Sequence, residues 1–167
     1  MKAIFRKLTV KDLPYRVKWL NDPEVNKYLG HRTRSGTDEE FHRKWFENYS
    51  SDETKEIFII EVDGKPVGQV GLVDIHLLDK NACLYIVIGE KNYWGKGIGS
   101  AAMEYILNYG FKDLNLRKIC LEVHARNTAA IRLYKKYGFE QEGLFKDNVL
   151  YDDGFDDEIR MAKFAED

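Results

Sequence analysis

From Ile4 to Thr9 the residues alternate as in a strand, and from Val10 to Leu20 the spacing becomes helical, with Leu13, Val17 and Leu20 recurring. Asn21-Asp22-Pro23 then breaks the pattern. Thr37 stands three residues before Glu40, the spacing of a capping box, and predicts a second helix running to about Tyr49. The β-branched and apolar runs Ile57 to Val62 and Val67 to Ile75 are joined by Asp63-Gly64 and predict an antiparallel hairpin. A third run, Leu84 to Ile88, leads into Tyr93-Trp94-Gly95-Lys96-Gly97-Ile98-Gly99. Beyond it Ala101, Ala102, Tyr105, Ile106 and Tyr109 mark one face of a helix. Lys118 to Ala125 predicts a strand, and Asn127 a cap for a helix whose Ala130, Leu133, Tyr134 and Tyr137 share a face until Gly138 stops it. Two last strands, about Glu140 to Lys146 and Phe155 to Phe164, flank a turn at Asp153-Gly154.

Seven strands and four helices without a repeat or linker, in 167 residues, predict one α/β domain over residues 1–167. The hairpin argues for antiparallel neighbours, and the later strand-helix-strand units for parallel ones. The 26 Lys+Arg against 28 Asp+Glu give a net charge of -2, which removes the basic surplus that a nucleic-acid binder needs. No run approaches the ~18 apolar residues of a membrane helix, and MKAIFRKLTVKDL lacks the apolar stretch of a signal peptide, so a cytoplasmic protein with no membrane partner is expected. Cys83 and Cys120 form no CxxC or Cys/His cluster; neither a disulfide framework nor a zinc site is expected.

Glycines at 95, 97 and 99 just before a helix let the backbone turn successive N–H groups toward one point, where the helix dipole also favours an anion. A phosphate is the natural occupant, and spacing narrows the possibilities. The third glycine of GxGxxG would fall at Ser100, so a dinucleotide fingerprint fits poorly. A nucleotide-triphosphate loop needs Gly-Lys-Ser/Thr where this chain has Ser100-Ala101-Ala102, which excludes it.

Trp94-Gly95-Lys96-Gly97-Ile98-Gly99 resembles the pyrophosphate loop of the GNAT N-acetyltransferases, and Asn127, Ala130, Tyr134 and Gly138-Phe139 match that superfamily's second signature. The order of elements is also similar. Trp94 replaces the usual Gln or Arg, in the form YWGKG that resembles the subgroup of ribosomal-protein N-terminal, spermidine and nucleotide-amino-sugar acetyltransferases. The resemblance implies a mixed, mostly antiparallel sheet of about seven strands flanked by about four helices. It implies acetyl-CoA as cosubstrate and no metal: pyrophosphate on the N–H groups of Gly95, Lys96, Gly97, Ile98, Gly99 and Ser100 beside Trp94, and pantetheine along Ile86, Val87 and Ile88. Asn127 would both cap its helix and contact the cosubstrate.

The implied acceptor is an amine. An alkylammonium with a pKa of about 10.4 is protonated at pH 7, so presenting the free base costs roughly 4–5 kcal/mol unless a base or a desolvating pocket helps. Glu122 is the first candidate base, since Leu121-Glu122-Val123 resembles a segment that carries one in N-terminal alanine acetyltransferases. Period-2 alternation sets Lys118, Cys120, Glu122 and His124 on one face, where Glu122 is equally suited to pair with Lys118 or another cation. The resemblance also implies a Glu on the fourth strand, as in many spermidine-type members, but the matching position here is Cys83, so that base is missing; Tyr85 and His76 remain as candidates. By resemblance Tyr134 is the group that protonates or hydrogen-bonds the departing thiolate; an apolar-stripe role in the core is the competing one.

For the acceptor, His31, Arg32 and Arg34 suit the diphosphate of a nucleotide-linked amino sugar, whereas Asp152, Asp153, Asp156, Asp157 and Glu158 suit a polycation. The leading expectation is acetyl transfer to a primary amine of a small molecule, polyamine or amino sugar. A protein N-terminus is the alternative within the same chemistry, and a non-catalytic CoA-binding module the alternative outside it. A homodimer is left open.

Overall fold

The computed structural model describes residues 2–29 and 36–166. Its elements in chain order are β1 (Ala3–Lys7), α1 (Leu13–Asn21), the single turn α2 (Pro23–Asn26), α3 (Glu39–Tyr49), β2 (Glu56–Val62), β3 (Lys65–His76), β4 (Asn81–Ile88), α4 (Ile98–Asn108), β5 (Lys118–His124), α5 (Thr128–Lys136), β6 (Glu140–Tyr151) and β7 (Gly154–Phe164). The seven strands form one sheet in the order β1-β2-β3-β4-β5-β7-β6. All neighbours are antiparallel except β4 and β5, which run parallel. This is the mixed, mostly antiparallel sheet expected, with α2 as a helix beyond the four. Among the described residues no helix is long and apolar enough to cross a membrane.

The two faces of the sheet are covered differently. One carries the main core, where Val70, Leu72, Leu84, Ile119, Leu121 and Val123 meet Ala102, Met103 and Ile106 of α4 and Tyr134 of α5. Alternation along β5 thus buries Ile119, Leu121 and Val123 in that core, as the period predicts. The other face lies under α1 and α3 and has a smaller cluster: Leu8, Ile57 and Ile59, with Trp45, Phe46, Tyr49 and Tyr85 packed against it.

Two local expectations are corrected. The buried side chains of α1 are Leu13, Arg16 and Trp19, not Leu13, Val17 and Leu20. Trp19 packs against Gly89 at the end of β4, where an added Cβ would lie 2.0 Å from the indole Cγ; only glycine admits this approach. Arg16 is buried because its guanidinium bonds the Gln69 side chain and lies 4.1 Å from the Trp45 ring centre. At α3 the cap is Asp38, whose carboxylate accepts the Phe41 N–H at 2.7 Å. Thr37, one residue early, has a buried hydroxyl that meets no partner.

Candidate active site

Strands β4 and β5 pair only over three rungs, Asn81–Lys118, Ala82–Ile119 and Cys83–Cys120. Beyond Cys83 and Cys120 they continue without pairing each other, to Ile88 and His124. The splay opens a cleft of about 810 Å³. One wall is Leu84 to Ile88, and the other includes Glu122, Val123, Asn127, Ala130, Leu133 and Tyr134. The glycine loop closes one end, and Glu24, Lys27 and Tyr28 line it from the segment around α2. The volume suits a ligand of cofactor size.

The loop's glycines have a structural reason. Gly95 and Gly97 lie at φ 71° and 83°, the left-handed region that costs other residues about 1–2 kcal/mol. Gly97 is the N-cap of α4, with no side chain bonding its amides, and the first bond of the helix runs from Ala101 N to Gly97 O at 3.0 Å. The N–H groups of Ile98, Gly99 and Ser100 therefore have no carbonyl one turn earlier in the helix. That cradle, at the positive end of the helix dipole, is suited to a phosphate. Trp94, Gly95, Gly97, Ile98, Gly99 and Ser100 line the cleft, as do Ile86, Val87 and Ile88. Lys96 does not: its amide is directed to Tyr93 O at 3.4 Å, and its ammonium lies 5.7 Å from the Tyr93 ring centre. The Trp94 indole N–H donates to Ile88 O at 2.8 Å, which ties the loop to the end of β4.

Asn127 caps α5 as its position predicts, its Oδ1 accepting the Ala130 N–H at 3.2 Å. Gly138, at φ 81°, ends the helix. α5 is fastened to α4 by the Tyr137 hydroxyl, which donates to Ser100 O at 3.1 Å and to Glu104 Oε1 at 2.8 Å. This placement sets Tyr134 in the cleft wall at 8% exposure. Burial pushes its phenol up to about 12, so it stays protonated at neutral pH. Tyr134 both lines the cleft and joins the main core.

Glu122 lines the cleft with its side chain 46% exposed, and its carboxylate accepts from Arg160 Nη1 at 3.0 Å. Its cation is Arg160 on β7, while Lys118 pairs with Glu142 at 2.6 Å. The spacing within β5 held no trace of Arg160, because the contact crosses the β5–β7 pairing, where Glu122 faces Arg160. Arg160 also reaches Glu142 at 3.0 Å and Cys120 Sγ at 3.2 Å, so all three of its nitrogens are engaged. Tyr85 lines the cleft, whereas His76 is exposed at the far end of β3 and does not. Of the acidic stretch, Asp153 and Asp156 pair with Arg126, Asp157 accepts the Asp147 N–H and Glu158 bonds Asn148. His31, Arg32 and Arg34 lie outside the described residues.

Residues 2–140 match the model of the acetyltransferase (GNAT) domain. The chain belongs to that family. It is 34% identical over 119 residues to the spermidine N(1)-acetyltransferase of Escherichia coli K12, covering 71% of this chain and 63% of that protein. To the spermidine N(1)-acetyltransferase of Vibrio cholerae it is 30% identical over 117 residues, covering 70% of this chain and 67% of the relative. The fold superposes on the crystal structure of the Vibrio cholerae spermidine N-acetyltransferase in complex with CoA and spermine with a TM-score of 0.90 at 24% identity, covering 97% of this chain and 95% of that one.

Proposed function

We propose that this GNAT domain transfers acetyl from acetyl-CoA to a primary amine of a polyamine. The observation that carries the reading is the union in one cleft of the unbonded N–H cradle at Ile98 to Ser100, the splayed strand Leu84 to Ile88, Tyr134 and a carboxylate at Glu122. The cradle fits a pyrophosphate and the splay a narrow extended chain, so acetyl-CoA fits the residues present. When bound it supplies an activated thioester. Gly95, Gly97, Ile98, Gly99, Ser100 and Trp94, with Ile86 to Ile88 and Asn127, are the residues proposed to hold it.

The chain's own contributions are to orient, to accept a proton and to stabilise the leaving sulfur. Glu122 draws the ammonium into the cleft and takes its proton, directly or through water. Arg160 competes for the same carboxylate and keeps it aimed along the wall. Tyr134, held up to about 12, would give its proton to a thiolate of ordinary pKa near 8.5 only uphill. Its proposed part is therefore hydrogen-bond donation to the developing sulfur charge, and the final protonation falls to the proton released by the amine. Transfer is direct, with no acyl-enzyme.

Polyamines are the preferred class because two curated relatives are spermidine acetyltransferases and because Glu24 and Glu122 both line the cleft. Release of free CoA from acetyl-CoA tests this with spermidine, spermine and putrescine beside a nucleotide-linked amino sugar and a short peptide amine. Turnover with the polyamines alone supports the reading. Turnover only with the sugar or the peptide reassigns the acceptor, and acetyl-CoA binding without turnover in any pool favours a binding module.

A further inference from the structure

Cys83 and Cys120 stand 37 positions apart in the sequence, but the fold makes them opposite members of the last β4–β5 rung before the splay. Their Sγ atoms are 2.7 Å apart. Neighbouring strands lie about 4.8 Å apart, within the span a disulfide bridges between Cα atoms, so a bond needs the two sulfurs to close by about 0.7 Å and little from the backbone. The pair is also asymmetric. Cys120 accepts from Arg160 Nη2 at 3.2 Å and sits near the Lys118 ammonium, whereas the Asp74 carboxylate acts on Cys83 in the opposite sense. The Cys83 S–H, followed by these cations, draws Cys120 down toward the thiolate, and Cys83 is held up correspondingly. Cys120 is buried and Cys83 half-buried, so a small oxidant approaches on the Cys83 side.

We propose that Cys83 and Cys120 are a peroxide-reactive dithiol site, Cys120 being the sulfur oxidised first and Cys83 the one that resolves it into an intrachain disulfide. The Cys120 thiolate attacks the peroxide: an S–O bond forms, the O–O bond breaks, and hydroxide leaves to become water on taking a proton. The Cys83 sulfur then attacks the Cys120 sulfur, forming S–S and breaking S–O, and the departing hydroxide takes the Cys83 proton as a second water. Two thiols are oxidised by two electrons and one peroxide is reduced to two waters.

The link also removes an acceptor from Arg160, leaving that guanidinium to Glu122 and Glu142. This consequence rests on the proposed role of Glu122: tighter pairing raises the KM for the amine several-fold while the KM for acetyl-CoA is unchanged. The chemistry of the link itself does not depend on that role.

The test is intact-mass analysis of the reduced protein after hydrogen peroxide, quenched and denatured without reductant. The expected product has lost two hydrogens, resists alkylation, and yields a Cys83–Cys120 linked peptide. With Cys83→Ser the reaction should stop at a single added oxygen on Cys120, trappable by dimedone. Thiols that remain alkylatable, higher oxidation without the link, or linked dimers overturn the site; so does an oxygen trapped on Cys83 rather than Cys120 in the wild type at early times. The wild-type mass stands even where the variant fails to fold. Once the link is verified, an unchanged amine KM overturns its coupling to Arg160, and absence of turnover in the reduced protein refutes the proposed function instead.

Discussion

On one side of the β4–β5 splay the cleft is made of backbone: amides of Ile98 to Ser100, glycines at left-handed φ, and the strand Leu84 to Ile88, all resting on the apolar core under α4 and α5. On the other side it is lined by side chains, Glu122, Val123, Asn127 and Leu133 among them, and Glu122 is the end of an ion-pair ladder that continues away from the cleft through Arg160 and Glu142 to Lys118. Backbone groups present one fixed geometry and cannot be exchanged by substitution, which suits a constant partner. Side-chain pairs can be re-paired by a change of one residue or of one proton, which suits the proposed amine acceptor.

Tyr134 stands where the two materials meet, and its loss has the largest expected effect. Tyr134→Phe keeps the ring in the core but removes the donor, so kcat should fall on the order of 10²-fold with the Kd for acetyl-CoA nearly unchanged, read by steady-state kinetics and calorimetry. An unchanged kcat would return Tyr134 to a purely packing role. Next in size is the backbone wall. A Cβ on Gly97 meets no protein atom within 4 Å, so Gly97→Val acts through the strain of a β-branched residue at φ 83°. A penalty of about 1–2 kcal/mol corresponds to roughly tenfold weaker acetyl-CoA binding, and more if the side chain also enters the anion's approach. Equal affinity in the variant would mean that the loop is only a turn.

Smaller changes are expected on the side-chain wall. Glu122→Gln should lower kcat/KM for the amine by about tenfold near neutrality, and the difference should shrink as pH rises toward the pKa of the amine, where less proton removal is needed. A constant ratio across pH would show that Glu122 serves Arg160 and not the acceptor. Arg160→Gln sharpens the contrast, since it should alter amine KM without touching acetyl-CoA affinity.

The same division governs what the sequence made legible. Strand and helix order, the Asn127 cap, the Gly138 stop and the glycine loop all rest on interactions within a few residues, and the structure shows each of them. Within that loop Lys96 shares the motif's spacing yet is turned out of the cleft, because its amide is used by the preceding turn. The capping residue was shifted by one because Thr37 and Asp38 are both competent caps and only the backbone path decides between them. On α1 the apolar pattern favoured Val17 and Leu20, but the interior accepted Arg16, whose partners Gln69 and Trp45 are distant in the chain. The β4–β5 splay, the Arg160 ladder and the Cys83–Cys120 rung are likewise long-range, and no local spacing encodes them.

The polar layer between α1, α3 and the sheet offers the mildest test at neutral pH. His42 on α3 is 2% exposed, and neither of its ring nitrogens meets a partner. Burial first, and the Arg16 charge second, hold it down to about 4, against 6.5 for a free imidazole. The folded state therefore keeps His42 neutral where the unfolded chain protonates it. Its contribution to stability is intact above pH 6.5 and is lost as pH falls through that window toward 4. At pH 5 the loss is about 2 kcal/mol, or roughly 4–8 °C in Tm for a domain of this size. His42→Leu removes the titrating group and should differ little from wild type in Tm at pH 7.5, while losing less of it between pH 7.5 and 5. If the two proteins lose stability in parallel, His42 is protonated in the folded state without cost, and the layer under α1 and α3 is wetter than its packing indicates.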